Sequence, residues 1–116
     1  MSDETVNKTL YEKLLIQFMF NDAEVREKLL PYLNPEVFSS YNNSQIIKEI
    51  QKFMERHNLF PKVNELKLFI ERADIYQCLL DIMDIDSNEY GKDFILSELE
   101  EFYRKSLLSN VILKLS

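Results

Sequence analysis

The sequence predicts an all-α fold, and three observations predict it. Glycine occurs once, Gly91, and proline three times, Pro31, Pro35 and Pro61, whereas an all-β chain needs turn residues about every 8–12 positions. Apolar residues recur at helical spacing along most of the chain. The apolar share of 46% in 116 residues is enough to form one buried core. A compact bundle of about six or seven helices follows, with the last two forming a helical hairpin.

The first helix is expected near residues 7–20, where Leu10, Leu14 and Phe18 recur at four-residue spacing beside Tyr11, Leu15 and Met19. Asn21-Asp22 breaks the pattern, and Asp22 can cap a second, short helix that turns Val25, Leu29 and Leu30 inward and stops near Pro31. Asn34-Pro35-Glu36-Val37-Phe38 has the form of a single helical turn. Asn34 is its cap, Pro35 stands at the first helical position, and Phe38 is presented as a core plug. A polar connector, Ser39 to Asn43, leads into a helix at residues 44–57 carrying Ile46, Ile47, Ile50, Phe53 and Met54. Asn58 is suited to a left-handed cap, and Pro61 forces Phe60 into extended backbone. Asn64 is expected to cap the next helix, which buries Leu66, Phe69 and Ile70. A further helix uses Ile75, Tyr76, Leu79, Leu80 and Met83.

Residues 84–91 form an acidic loop. After it comes the longest periodic segment, with Ile95, Leu99, Phe102, Leu108, Val111, Ile112 and Leu115. No Gly, Pro or Asn stop signal follows Leu115, so the chain is expected to be part of a longer protein. The whole of residues 1–116 reads as one domain, with a globular core at 1–74 and the hairpin at 75–116.

Twenty acidic residues against 14 basic ones give a net charge of −6. Direct nucleic-acid binding is disfavoured, because gripping a phosphate backbone relies on clustered Lys and Arg. One cysteine, Cys78, cannot form an internal disulfide and suits a reducing cytoplasm. The N-terminus is polar and acidic, unlike a signal peptide, and no apolar run approaches membrane-spanning length.

Catalytic chemistry finds little footing. A phosphate-cradling loop needs several glycines followed by Lys and Ser or Thr, and this chain has one glycine. His57 reads as a residue at a helix C-terminus, favoured there by the dipole, and Cys78 beside Leu79 and Leu80 reads as a small apolar side chain. Asp84, Asp86 and Asn88 copy the first ligands of a calcium loop. The required Gly and the closing Glu are replaced by Glu89 and Ile95, so the stretch reads as a solvated acidic loop. Glu98, Glu100 and Glu101 diverge around a helix and form its wet face. The expectation is a non-enzyme with no catalytic residue, no cofactor and no metal.

One larger pattern is informative. Pro31-Tyr32-Leu33-Asn34-Pro35-Glu36-Val37-Phe38 precedes a helix opening with Gln45-Ile46-Ile47. Then come Asn58-Leu59-Phe60-Pro61-Lys62-Val63-Asn64-Glu65-Leu66 and, near the end, residues 94–108 with the basic pair Arg104-Lys105 before an apolar run. This order resembles the N-terminal domain of DnaB-like replicative DNA helicases, especially those of tailed phages. The likeness covers nearly the whole chain and consists of residue classes rather than chemical signatures. It implies a non-catalytic collar above a hexameric motor, in which the helical hairpin joins neighbouring subunits and the domain docks primase or a helicase loader. It also implies an ATPase domain downstream, absent from this chain, and a place in the cytoplasm, that of the host if phage-encoded. The acidic loop inside the hairpin departs from the family's usual form. A free-standing phage loader or adaptor, and the helicase-binding C-terminal domain of a primase, are the alternatives.

The expected interface lies on the hairpin, at Tyr76, Leu80, Tyr103, Leu107, Leu108, Val111 and Ile112. The apolar positions of the last helix wrap more than one of its faces, and a stripe wider than the core requires implies a partner. The partners expected are other copies of the chain and a primase or loader, without direct nucleic-acid binding and without membrane.

Overall fold

Helix α1 spans Asp3–Asn21 and forms the centre of the computed structural model, which describes residues 3–98 together with Glu101 and Arg104. Leu14, Leu15, Ile16 and Met19 are all buried, and Leu10, Tyr11, Phe18 and Phe20 pack against the same core. Three consecutive buried residues cover more than one helix face, so α1 is enclosed on several sides rather than laid on a surface. It starts a turn earlier than its apolar spacing suggests, because periodicity marks only the packed stretch of a helix.

Asp22 caps α2, Ala23–Leu29, by accepting the Val25 N–H at 3.1 Å. The chain then tightens into a 3-10 turn at Leu30–Tyr32, since Pro31 has no N–H with which to continue an α-helical ladder. A second 3-10 turn, Pro35–Val37, follows with Asn34 Oδ1 accepting the Glu36 N–H at 3.0 Å. It delivers Phe38 into the core at 6% exposure, as the local sequence signals require.

Helix α3, Tyr41–His57, buries Ile46, Ile47, Ile50 and Phe53; each such side chain contributes about 1.5–3 kcal/mol over leaving it in water. The structure corrects its expected start. The helix takes in residues 41–43 of the polar connector: Ser40 is the cap, accepting from Asn43 N–H at 3.4 Å, and Asn43 is buried inside the helix. The cause lies 28 residues away, where Glu12 Oε1 accepts the Ser40 N–H at 3.3 Å. At the far end Asn58 takes the left-handed conformation, φ 58° and ψ 29°, and its N–H donates to Met54 O.

Helix α4, Val63–Phe69, begins one residue before the expected cap. Asn64 is exposed within its first turn. Glu65 takes over the role by accepting the Lys62 N–H at 2.8 Å, the reciprocal half of a capping box. Helix α5, Ala73–Met83, turns Ile75, Leu79 and Ile82 into the core. After a 3-10 turn at Ser87–Glu89, residues 92–98 are helical (α6) and bury Ile95. Helix α1 packs against α2 and α5, and α3 packs against α4 and α5. The molecule is all-α, and the buried face of α5 belongs to the same core as α1 and α3.

Candidate interaction surface

The hairpin expectation falls partly within the described residues. Tyr76 and Leu80, one helical turn apart on α5, are both half-buried, and Tyr76 packs against the core. Neither is a freely exposed anchor, because the buried residues Ile75 and Leu79 sit next to them in sequence and draw their flanks inward. Tyr103, Leu107, Leu108, Val111 and Ile112 lie outside the described residues. Within α6, Phe94 is 58% exposed while Ile95 is buried.

The largest outward apolar group on α4 is Leu68, 91% exposed. Helical geometry explains it: Leu66 and Ile70, four residues apart, share the inner face, and Leu68 midway between them falls on the opposite one. Leu68 and Phe94 are not among the expected interface residues. A signal for both was present, namely an apolar residue out of phase with its helix. Phe94-Ile95-Leu96 is three apolar residues in succession, more than one face can bury.

Leu68 lies at the edge of a groove of about 560 Å³ between α3 and α4, with Phe69, Lys52, Arg56 and Arg72 among its walls. Two of its cations are paired. Lys52 Nζ stands 3.4 Å from Glu49 Oε1, and Arg72 Nη2 stands 2.7 Å from Asp74 Oδ2. The hydrogen bond from Arg72 holds the Asp74 carboxyl below its ordinary range, and Tyr41 Oη accepts a further Arg72 N–H at 3.0 Å.

The buried polar side chains serve the fold. Glu12 accepts four hydrogen bonds from Ser39, Ser40 and Asn43, and Gln17 donates to Ile82 O at 2.8 Å and Ile85 O at 2.7 Å. A small cavity of about 190 Å³ lies beside them, bounded by Lys13, Asn43, Cys78 and Asp81. Cys78 is half-buried, and His57 is exposed at the end of α3 with its ring 4.5 Å from that of Phe53. No hydrogen bond joins the two. In the acidic loop, Asp84, Asp86, Asn88 and Glu89 are exposed, and Asp86 Oδ1 accepts the Asn88 N–H at 3.0 Å. Glu98 and Glu101 are exposed as well. Among the described residues no group of three His, Cys, Asp or Glu is placed to hold a metal ion, and no helix is long and apolar enough to cross a membrane.

What this arrangement offers chemically is contact area: a closed core with polar groups used internally and single large apolar side chains turned outward. No family model matches the chain, and no curated protein or solved structure matches it.

Proposed function

We propose that this chain is a non-catalytic interaction domain, the N-terminal collar of a DnaB-like hexameric replicative helicase, which associates with copies of itself and docks primase or a loader. The helicase half of the reading rests on the sequence resemblance. The segments that carry it form discrete units: the Pro35–Val37 turn that seats Phe38, and the non-helical Phe60-Pro61 step between α3 and α4. The association half rests on one observation, the Phe94 side chain on α6, 58% exposed beside a buried Ile95. A large aromatic side chain held in water offers apolar area that a partner could cover, and in sequence it precedes the expected interface positions 103–112.

Sedimentation equilibrium tests the association half. The chain is expected to self-associate, and Phe94→Glu to weaken association at least about fivefold with unchanged helical circular dichroism. The double change Leu107→Lys with Leu108→Lys is expected to act in the same direction. A chain that stays monomeric up to about 100 µM removes that half. The coding sequence downstream tests the other: a frame continuing into a glycine-rich phosphate-binding motif is expected. A stop codon directly after Ser116 would leave a free-standing adaptor instead.

A further inference from the structure

A second surface lies where the end of α1 meets the link at residues 60–63. It is a cleft of about 350 Å³ lined by Phe20, Asn21, Arg26, Phe60, Pro61 and neighbouring Lys62 and Val63. The Phe20 and Phe60 rings meet at 5.1 Å and 57°, giving an apolar floor that the buried Pro61 extends. Its charge is unlike that of the molecule. On a chain of net charge −6, this cleft has two cations and no carboxylate in its lining.

The arginine is held in advance. Arg26 Nε donates to Met19 O at 3.0 Å, and the guanidinium lies 4.7 Å from the centre of the Phe60 ring. These two contacts fix the plane of the fork. Among the described residues its terminal nitrogens have no hydrogen-bond partner, so the donors suited to a bidentate carboxylate stay available. The nearby acids are otherwise engaged or turned away: Asp22, one turn before Arg26, accepts the Val25 N–H and pairs with Lys92, Glu65 accepts from the Lys62 N–H, Glu24 pairs with Lys28 and Lys92, and Glu27 is exposed at the position next to Arg26, where helix geometry points it elsewhere.

We propose that this cleft docks an acidic segment of a partner protein that carries an apolar side chain. The apolar group seats on Phe20, Phe60 and Pro61, a carboxylate pairs with the Arg26 fork, and Lys62 draws further acidic residues to the rim. The proposal does not depend on the collar reading, since it uses neither the hairpin nor self-association.

The test is fluorescence anisotropy with a labelled Asp-Asp-Asp-Asp-Leu-Phe peptide, against a Lys-Lys-Lys-Lys-Leu-Phe control. The acidic peptide is expected to bind, more weakly as salt rises, and the control is not. Arg26→Gln and Lys62→Glu are each expected to weaken binding about tenfold or more. Arg26→Gln also removes the Met19 contact, so Lys62→Glu, an exposed change that keeps the backbone cap, decides the matter if the first variant unfolds. No binding to the unaltered chain up to about 1 mM, equal binding of the basic peptide, or full binding by Lys62→Glu overturns the proposal. So does sedimentation showing that Lys62→Glu abolishes self-association while the peptide never binds, which would make a second copy the occupant.

Discussion

Glu12 and Gln17 lie on the same helix, 1% and 2% exposed, yet they meet burial in different ways. Glu12 Oε2 accepts from Ser39 N–H and Ser39 Oγ at 2.8 and 2.9 Å, and Oε1 accepts from Ser40 N–H and Asn43 Nδ2 at 3.3 and 3.1 Å. Both oxygens are fully used. Gln17 Nε2 donates to the carbonyls of Ile82 and Ile85, while its Oε1 is buried without a partner. The difference follows from helix polarity. Glu12 faces the start of α3, where N–H groups lack acceptors within the helix, and Gln17 faces the carbonyls of Ile82 and Ile85 around the end of α5, the first of which also accepts the Ile85 N–H at 3.1 Å. A carboxylate is all acceptor and suits the first place completely. An amide carries a donor and an acceptor together, and only the donor has a use at the second.

The largest effect is therefore expected from Glu12→Gln, which puts an NH2 donor against groups that are themselves donors. Urea unfolding followed by circular dichroism is expected to show a loss of about 2–4 kcal/mol. The α3 start should open first, visible as faster amide exchange at Ser40 and Asn43. A variant within about 0.5 kcal/mol of the original would mean that the four hydrogen bonds are replaceable by water, and the contrast with Gln17 would dissolve.

Gln17→Met should sit below it. The substitution loses both donations and also removes the unpaired oxygen, whose burial opposes stability. The two terms offset in part, leaving an expected loss of about 1 kcal/mol in the same unfolding experiment. A loss exceeding that of Glu12→Gln would reverse the ranking and show that fastening the end of α5 matters more than starting α3.

The same distinction separates what the sequence shows from what it hides. Local devices are legible, since all their parts lie within a few residues. Asn34-Pro35 with Phe38, Asp22 before α2, and left-handed Asn58 are examples. The start of α3 is not legible, because it is set by a Glu12 that reaches across 27 residues to Ser39. From sequence, Glu12 looks like one more solvated acid on an amphipathic helix. Asn64 misleads for a related reason: an asparagine is a good cap in general, yet Glu65 reaching back to Lys62 N–H settles the boundary two residues earlier. At the candidate surfaces, Tyr76 and Leu80 are legible as apolar positions but not as half-buried ones. The Arg26 cleft joins α1, α2 and the link at residues 60–63, and no local pattern announces that meeting.

A third polar fastening, at the surface, sharpens the comparison by supplying its weak limit. Lys92 Nζ stands 2.7 Å from Asp22 Oδ2 and 3.3 Å from Glu24 Oε2, tying the start of α6 to the start of α2. The hydrogen bond from Lys92 lowers the Asp22 pKa below its ordinary 3.8, with the Val25 N–H adding to it, and lowers that of Glu24 below 4.5. The same contacts, Asp22 first and Glu24 next, raise Lys92 above 10.5. The sign is fixed by these directions. The depressed carboxyls lend stability above their unfolded values, and it is lost as pH falls through the lower folded ones. The raised lysine lends stability below 10.5, and it is lost as pH climbs through its folded value. Because all three groups are partly in water, the effect is small and salt-screened. Lys92→Ala is expected to lower Tm by about 2 °C at neutral pH in low salt. The gap from the original chain should close as pH drops below about 4 and again in high salt. A gap that persists unchanged to about pH 2 would show that the aliphatic stem of Lys92, rather than its charge, holds α6 in place.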